Sequence, residues 1–163
     1  MALRNVVVEG DPVLRKTCRP VDEVTDRIRG ILDDMLETMK ASYGVGIAAP
    51  QVGIMRRMFI AIPDPENDPD GAVYMINPEI IEKSGSQFNE EGCLSVPGLV
   101  GTVERPEYIK IKGLDYDGTE RTLEFEGFGA IVMSHEYDHL DGILYIDKAT
   151  DIHEAVYEEE EEE

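Results

Sequence analysis

The chain has no tryptophan, two cysteines and three histidines among 163 residues, and its acidic groups outnumber its basic ones by more than two to one. Each shortage excludes something. Two cysteines, Cys18 and Cys93, are too few for a disulfide scaffold, so reduced thiols in a cytoplasm are expected. Fifteen Lys and Arg against 35 Asp and Glu give a net charge of −20, which repels nucleic acid backbone and argues against direct DNA binding. No apolar run approaches the roughly 18 residues that a membrane span needs. The opening MALRNVVVEGDPVLRK lacks the apolar stretch and small-residue cleavage site of a secretory leader. No strong basic patch for docking on ribosomal RNA stands out.

What remains is long enough for one domain with a real core. Residues 1–150 are expected to form that domain, and residues 151–163 an acidic, disordered tail. The last six residues are all glutamate, and without them residues 1–157 carry −14. Apolar positions in TDRIRGILDDMLETMKAS (25–42) follow a helical period, with Thr25 or Asp26 as the N-cap. RRMFIAI and AVYMINPEII read as strands, and YIKIKGLDYDGTERTLEFE as a hairpin turning at Asp117-Gly118. A final helix is expected over about 127–140, with Phe128, Ile131, Val132, His135 and His139 on one core-facing stripe and Gly142 ending it. The fold class is therefore α+β: antiparallel strands packed around an internal C-terminal helix, with an N-terminal amphipathic helix.

Within that last helix, VMSHEYDHLDG (132–142) places His135 and His139 four apart, so both imidazoles point the same way. Two histidines at this spacing with Glu136 between them form His-Glu-x-x-His, in which the imidazoles bind one ion and the Glu handles a proton. Two imidazoles on a buried stripe need partners in any case. A catalytic site of this kind wants a third protein ligand and an open position. A third histidine six residues after the second would mark one metalloprotease class, but residue 145 is Tyr. Cys93, in NEEGCLSVPG, is the better candidate, because charge and Gly frame it where a core cysteine has apolar neighbours. Leu94 is expected to anchor that segment in the core. A Cys–His–His set suits Fe²⁺, Zn²⁺, Co²⁺ or Ni²⁺, whereas Ca²⁺ and Mg²⁺ prefer oxygen ligands. The loop PENDPDG is no calcium loop, since the position that would close it is Asn77. Gly44 and Gly46 in GVGIAAPQ would admit an extended peptide backbone where side chains would block it. Two alternatives stay open: a metallopeptidase with a carboxylate as third ligand, and an acidic binding module whose His pair is structural.

With GVGIAAPQ (44–51), EGCLS (91–95) and HEYDH (135–139) in this order, the chain resembles the peptide deformylases, enzymes that remove the formyl group from N-formylmethionyl nascent chains. DPVLRK and INPE fit as well, so the resemblance spans most of residues 3–147. It implies that Cys93, His135 and His139 bind the metal, with Fe²⁺ native and Zn²⁺, Ni²⁺ or Co²⁺ as substitutes. It also implies that Glu136 is the general acid/base acting on an ion-activated water. Gln51 and the Leu94 N–H would face the formyl oxygen, and Gly46 would touch the substrate backbone. Val45 would line a methionine pocket together with Phe128, Ile131 and Val132. The partners implied are N-formylmethionyl nascent peptides, which emerge at the ribosome, and a monomer is expected. One position departs: Ser134 stands where most members have Gln, which bears on packing behind the site. The long C-terminal helix of some members is also missing.

Overall fold

Thr25 opens the first helix, its hydroxyl accepting the Ile28 N–H at 3.3 Å, and α1 runs over Asp26–Ala41. Ile31, Leu32, Met35, Thr38 and Met39 form its buried face. The structure, a computed structural model, describes residues 2–155. Five strands, β1 (Gly46–Ala48), β2 (Met58–Ala61), β3 (Val73–Ser84), β6 (Tyr108–Leu114) and β7 (Glu120–Glu126), form an antiparallel sheet in the order β1-β2-β3-β6-β7. A second antiparallel sheet has the order β4-β5-β8, from Gln87–Cys93, Val96–Arg105 and Thr150–Glu154.

β2 shows how the layers are sorted. Side chains alternate across a strand. Met58 and Ile60 pack in the cluster that takes the apolar face of α1, while Phe59 and Ala61 pack with α2 (Phe128–His139). All four are buried, and each large apolar side chain so removed from water contributes about 1.5–3 kcal/mol.

α2 touches β1, β2 and β7 of the larger sheet and β5 of the smaller one, so it is an interior helix between the two. Residues 129–136 are all buried. A single apolar stripe is therefore too narrow a description, because the helix is covered on most sides. Phe128 departs from the expected stripe in the other direction: it is 42% exposed, as the first residue of the helix and part of the wall of an open cavity. Gly142 follows the helix end with φ +76°, and a side chain there would strike the Arg15 backbone.

Two expectations change. Residues 87–105 show no clean alternation in the sequence, yet they form the β4–β5 hairpin with Leu94 and Ser95 as its two-residue turn. Nor does the tail begin at 151. β8 covers Thr150–Glu154, pairing Val100 with His153 and Leu99 with Glu154, because the outer edge of β5 offers unpaired backbone groups. The glutamate run, and the disorder expected of it, lies outside the described residues. No helix among those described is long and apolar enough to cross a membrane.

Candidate metal centre

The β4–β5 hairpin delivers Cys93 to the buried flank of α2, immediately before the tight turn. There the Cys93 sulfur and one ring nitrogen from each of His135 and His139 lie within 4.8 Å of one another. Cys93 Sγ is 3.4 Å from His139 Nε2. His135 Nδ1 donates to Glu91 Oε1 at 2.9 Å, which fixes the ring and turns its other nitrogen toward the cluster. Tyr145, the residue that fails as a third histidine, stacks on His135 with ring centroids 6.0 Å apart. The donor set is one cysteine sulfur and two imidazoles, with no carboxylate among them. Such a set fits a borderline-soft divalent ion and not Ca²⁺ or Mg²⁺.

Glu91 is held in turn. Arg105 Nε and Nη2 donate to its two oxygens at 2.8 and 2.9 Å, and Arg105 Nη1 donates to Asp138 at 2.7 Å. Burial works against the Glu91 charge, but the hydrogen bonds from Arg105 and His135 prevail and hold its pKa at about 2. Glu136 has the opposite surroundings. It is 4% exposed, and its Oε1 has no partner among the described residues. Burial raises its pKa to about 7, and the Glu91 charge adds to this against the opposing pull of His135 and Arg105. Burial, with the positive charges of His135 and Arg105, pushes His139 well below its ordinary range, so it is a neutral, ligand-ready imidazole. His135 is driven the other way: burial favours its neutral form, yet hydrogen bonds to Cys93 and Glu91 raise its pKa well above the usual value. A cation at this point would displace that proton.

A cavity of about 290 Å³ opens against the cluster. Val45, Phe128, Ile131 and Val132 supply apolar walls, and Gly44, Gly46, Gln51 and Leu94 line it together with Cys93, His135 and Glu136. Gln51 is 1% exposed and held at both ends of its amide. Its Oε1 accepts the Ala48 N–H at 2.9 Å, while its Nε2 donates to Ser95 Oγ at 3.1 Å and lies 3.5 Å from Cys93 Sγ.

Comparison with known proteins agrees with this geometry. The sequence profile described as polypeptide deformylase matches residues 3–155. The chain belongs to the polypeptide deformylase family. It is 52% identical to peptide deformylase 1 of Clostridium perfringens over 90% of this chain and 98% of that one. It is 50% identical to the peptide deformylase of Agathobacter rectalis over 99% and 100%. Among solved structures, the Thermotoga maritima peptide deformylase superposes with a TM-score of 0.87 at 40% identity, covering 92% of this chain and 99% of that one. The Ehrlichia chaffeensis peptide deformylase, solved in complex with actinonin, gives 0.87 at 35% identity over 93% and 91%.

The deformylase motifs thus meet at one point of the fold. Of the residues expected at the site, all but His139 line the cavity, and His139 lies just behind it as a donor of the cluster. Two local expectations are corrected. Leu94 does not anchor the core; it sits half-buried in the hairpin turn and lines the cavity, while its neighbours Ser95 and Val96 are the buried residues. Gly44 and Gly46 make room for protein as well as for a ligand. A side chain on Gly46 would overlap the Glu136 carboxylate, and one on Gly44 would crowd Leu94. Ser134 is buried behind the site, its Oγ without a partner among the described residues, beside a second cavity that Arg105 and Asp138 also line. The sequence reading missed Glu91, Arg105 and Asp138. Glu91 left a trace, a carboxylate two residues before Cys93, but Arg105 comes from the far end of the β4–β5 hairpin, opposite Gln87, and reaches the site with its guanidinium.

Proposed function

We propose that the chain is a metal-dependent deformylase that hydrolyses the formyl amide of N-formylmethionyl peptides, with Cys93, His135 and His139 holding one divalent ion. The observation that carries this reading is the convergence of those three donors within 4.8 Å, beside a buried, unpartnered Glu136, at the end of an apolar cavity. The ion would supply an activated water and polarise the formyl oxygen. Glu136 would accept a proton from the attacking water and return it to the departing amine nitrogen. A carboxyl titrating at about 7 suits both transfers.

Gln51 Nε2 and the Leu94 N–H donate toward the formyl oxygen as it gains negative charge, and one such donor is worth about 10²–10³ in rate. The methionine side chain enters between Val45, Phe128, Ile131 and Val132. The peptide runs extended along Gly44–Gly46, where β1 begins at the edge of its sheet. Fe²⁺ is the native ion in this reading, with Zn²⁺, Ni²⁺ or Co²⁺ able to replace it, and the substrates are newly made chains.

The metallopeptidase alternative loses ground, because the donor group closes with Cys93 and holds no carboxylate, while Glu91 is engaged by Arg105 and His135. Formate release from a formyl-Met tripeptide, by protein prepared without oxygen and loaded with Fe²⁺ or Ni²⁺, tests the reading. Stoichiometric formate with an intact Met–peptide product is expected. Cleavage of the peptide bonds, or no turnover by folded and metal-replete protein, would overturn it.

A further inference from the structure

Residues 2–9 form neither helix nor strand, yet their backbone is tied down along most of its length. Ala2 N–H donates to Asp34 Oδ1 at 2.7 Å, Arg4 N–H donates to Thr38 Oγ1 at 2.9 Å, and the Arg4 guanidinium pairs with Asp34, so the segment starts on α1. It then crosses behind the site. Val7 N–H donates to the Gln51 carbonyl at 2.7 Å, and two residues on, Glu9 N–H donates to the Ser95 carbonyl at 2.7 Å. Successive odd residues of an extended chain point the same way, so one short stretch bonds two loops that are otherwise far apart in sequence. The Val7 side chain also packs against the cluster that contains Val96 and touches Cys93.

Those two loops carry the two donors assigned above to the formyl oxygen: the Gln51 amide, and the N–H of Leu94, the residue before Ser95. We infer that the N-terminal segment is a strap that sets the spacing of this donor pair, with the Val7 N–H as its principal positioning group; the inference rests on the deformylase reading. Gln51 follows β1 of the larger sheet and the hairpin belongs to the smaller one; among the described residues the Gln51 side chain also meets the hairpin directly, at Ser95 Oγ and Cys93 Sγ. An oxyanion site loses rate steeply with small displacements, because its donors must meet a charge that exists only in the transition state. Val7 neither lines the cavity nor is one of the three donors, so the contribution of its N–H passes through Gln51.

Val7→Pro deletes the N–H while keeping an apolar side chain, and proline suits an extended position. The test is a double-mutant cycle with Gln51→Ala, reading kcat, KM, metal content and thermal midpoint for all four proteins. Val7→Pro is expected to lower kcat about tenfold with KM and metal content unchanged. In the Gln51→Ala background the same change is expected to cost less than about twofold, since the group it positions is gone. Equal losses in both backgrounds, or a lower thermal midpoint with kcat unchanged, would overturn the strap and leave an ordinary structural segment. If Val7→Pro does not fold, an ester in place of the Val7 amide removes the same donor with the side chain intact and runs through the same cycle. Wild-type protein that is metal-replete and inactive would instead sink the deformylase reading itself.

Discussion

The two sides of His135 are built on opposite rules. On one side Glu91, Arg105 and Asp138 form a buried network in which each charge has a partner between 2.7 and 2.9 Å. On the other, Glu136 Oε1 and His139 Nδ1 are buried with no partner among the described residues, and Cys93 meets its neighbours only at sulfur distances. Leaving buried polar groups unpaired costs stability, so a fold keeps them where something else gains. The paired side orients His135; the unpaired side is where the proposed chemistry takes place. His135 belongs to both, one nitrogen held by Glu91 and the other free for the cluster.

This contrast can be broken from either end. Glu136→Gln should lower kcat by about 10²–10⁴, the usual worth of a positioned acid/base, while the thermal midpoint holds or rises, because the variant no longer buries a group that can ionise. Formate release and calorimetry on the same preparation read both effects. Arg105→Met should do the reverse kind of damage. It leaves Glu91 and Asp138 without their shared cation and should cost about 3–5 kcal/mol in chemical denaturation, with metal retention falling as His135 loses its support.

An acid titration sharpens the comparison. The Glu91 carboxyl sits at about 2 in the fold and near 4.5 when unfolded, so the stability it contributes is complete above the unfolded value. That stability drains as pH falls from there toward about 2, and the Arg105→Met protein should show a flatter loss over this window. The smallest effect lies at the cavity mouth. Tyr43 is a non-glycine residue at φ +59° and 94% exposed, so Tyr43→Gly should relieve left-handed strain and stabilise by about 1 kcal/mol in thermal unfolding.

How much of this could be read from the chain alone follows from the range of each interaction. The pair His135 and His139 is legible because one helical turn sets their spacing, and Cys93 because its charged, glycine-framed setting is odd for a core thiol. α1, β2 and the β6–β7 hairpin announce themselves by local periodicity and by Asp117-Gly118. Arg105 does not, since nothing near it in sequence shows that its guanidinium will reach back to Glu91, 14 residues away, from a backbone position paired with Gln87. β8 was invisible for a similar reason: TDIHE has little apolar pattern, and the free edge of β5 orders it. Phe128 was misplaced because periodicity locates a face of a helix and not the end of it that borders an open cavity.

Cobalt substitution tests the central claim most directly. Protein loaded with Co²⁺ in the absence of oxygen should bind one equivalent and show a thiolate-to-cobalt charge-transfer band, and Cys93→Ser should abolish that band while Cys18→Ser leaves it unchanged. Cys18 is buried, and desolvation lifts its thiol pKa to about 11, so it is no rival ligand. Sub-stoichiometric cobalt in folded protein, or a band that survives Cys93→Ser, would contradict a Cys93–His135–His139 centre.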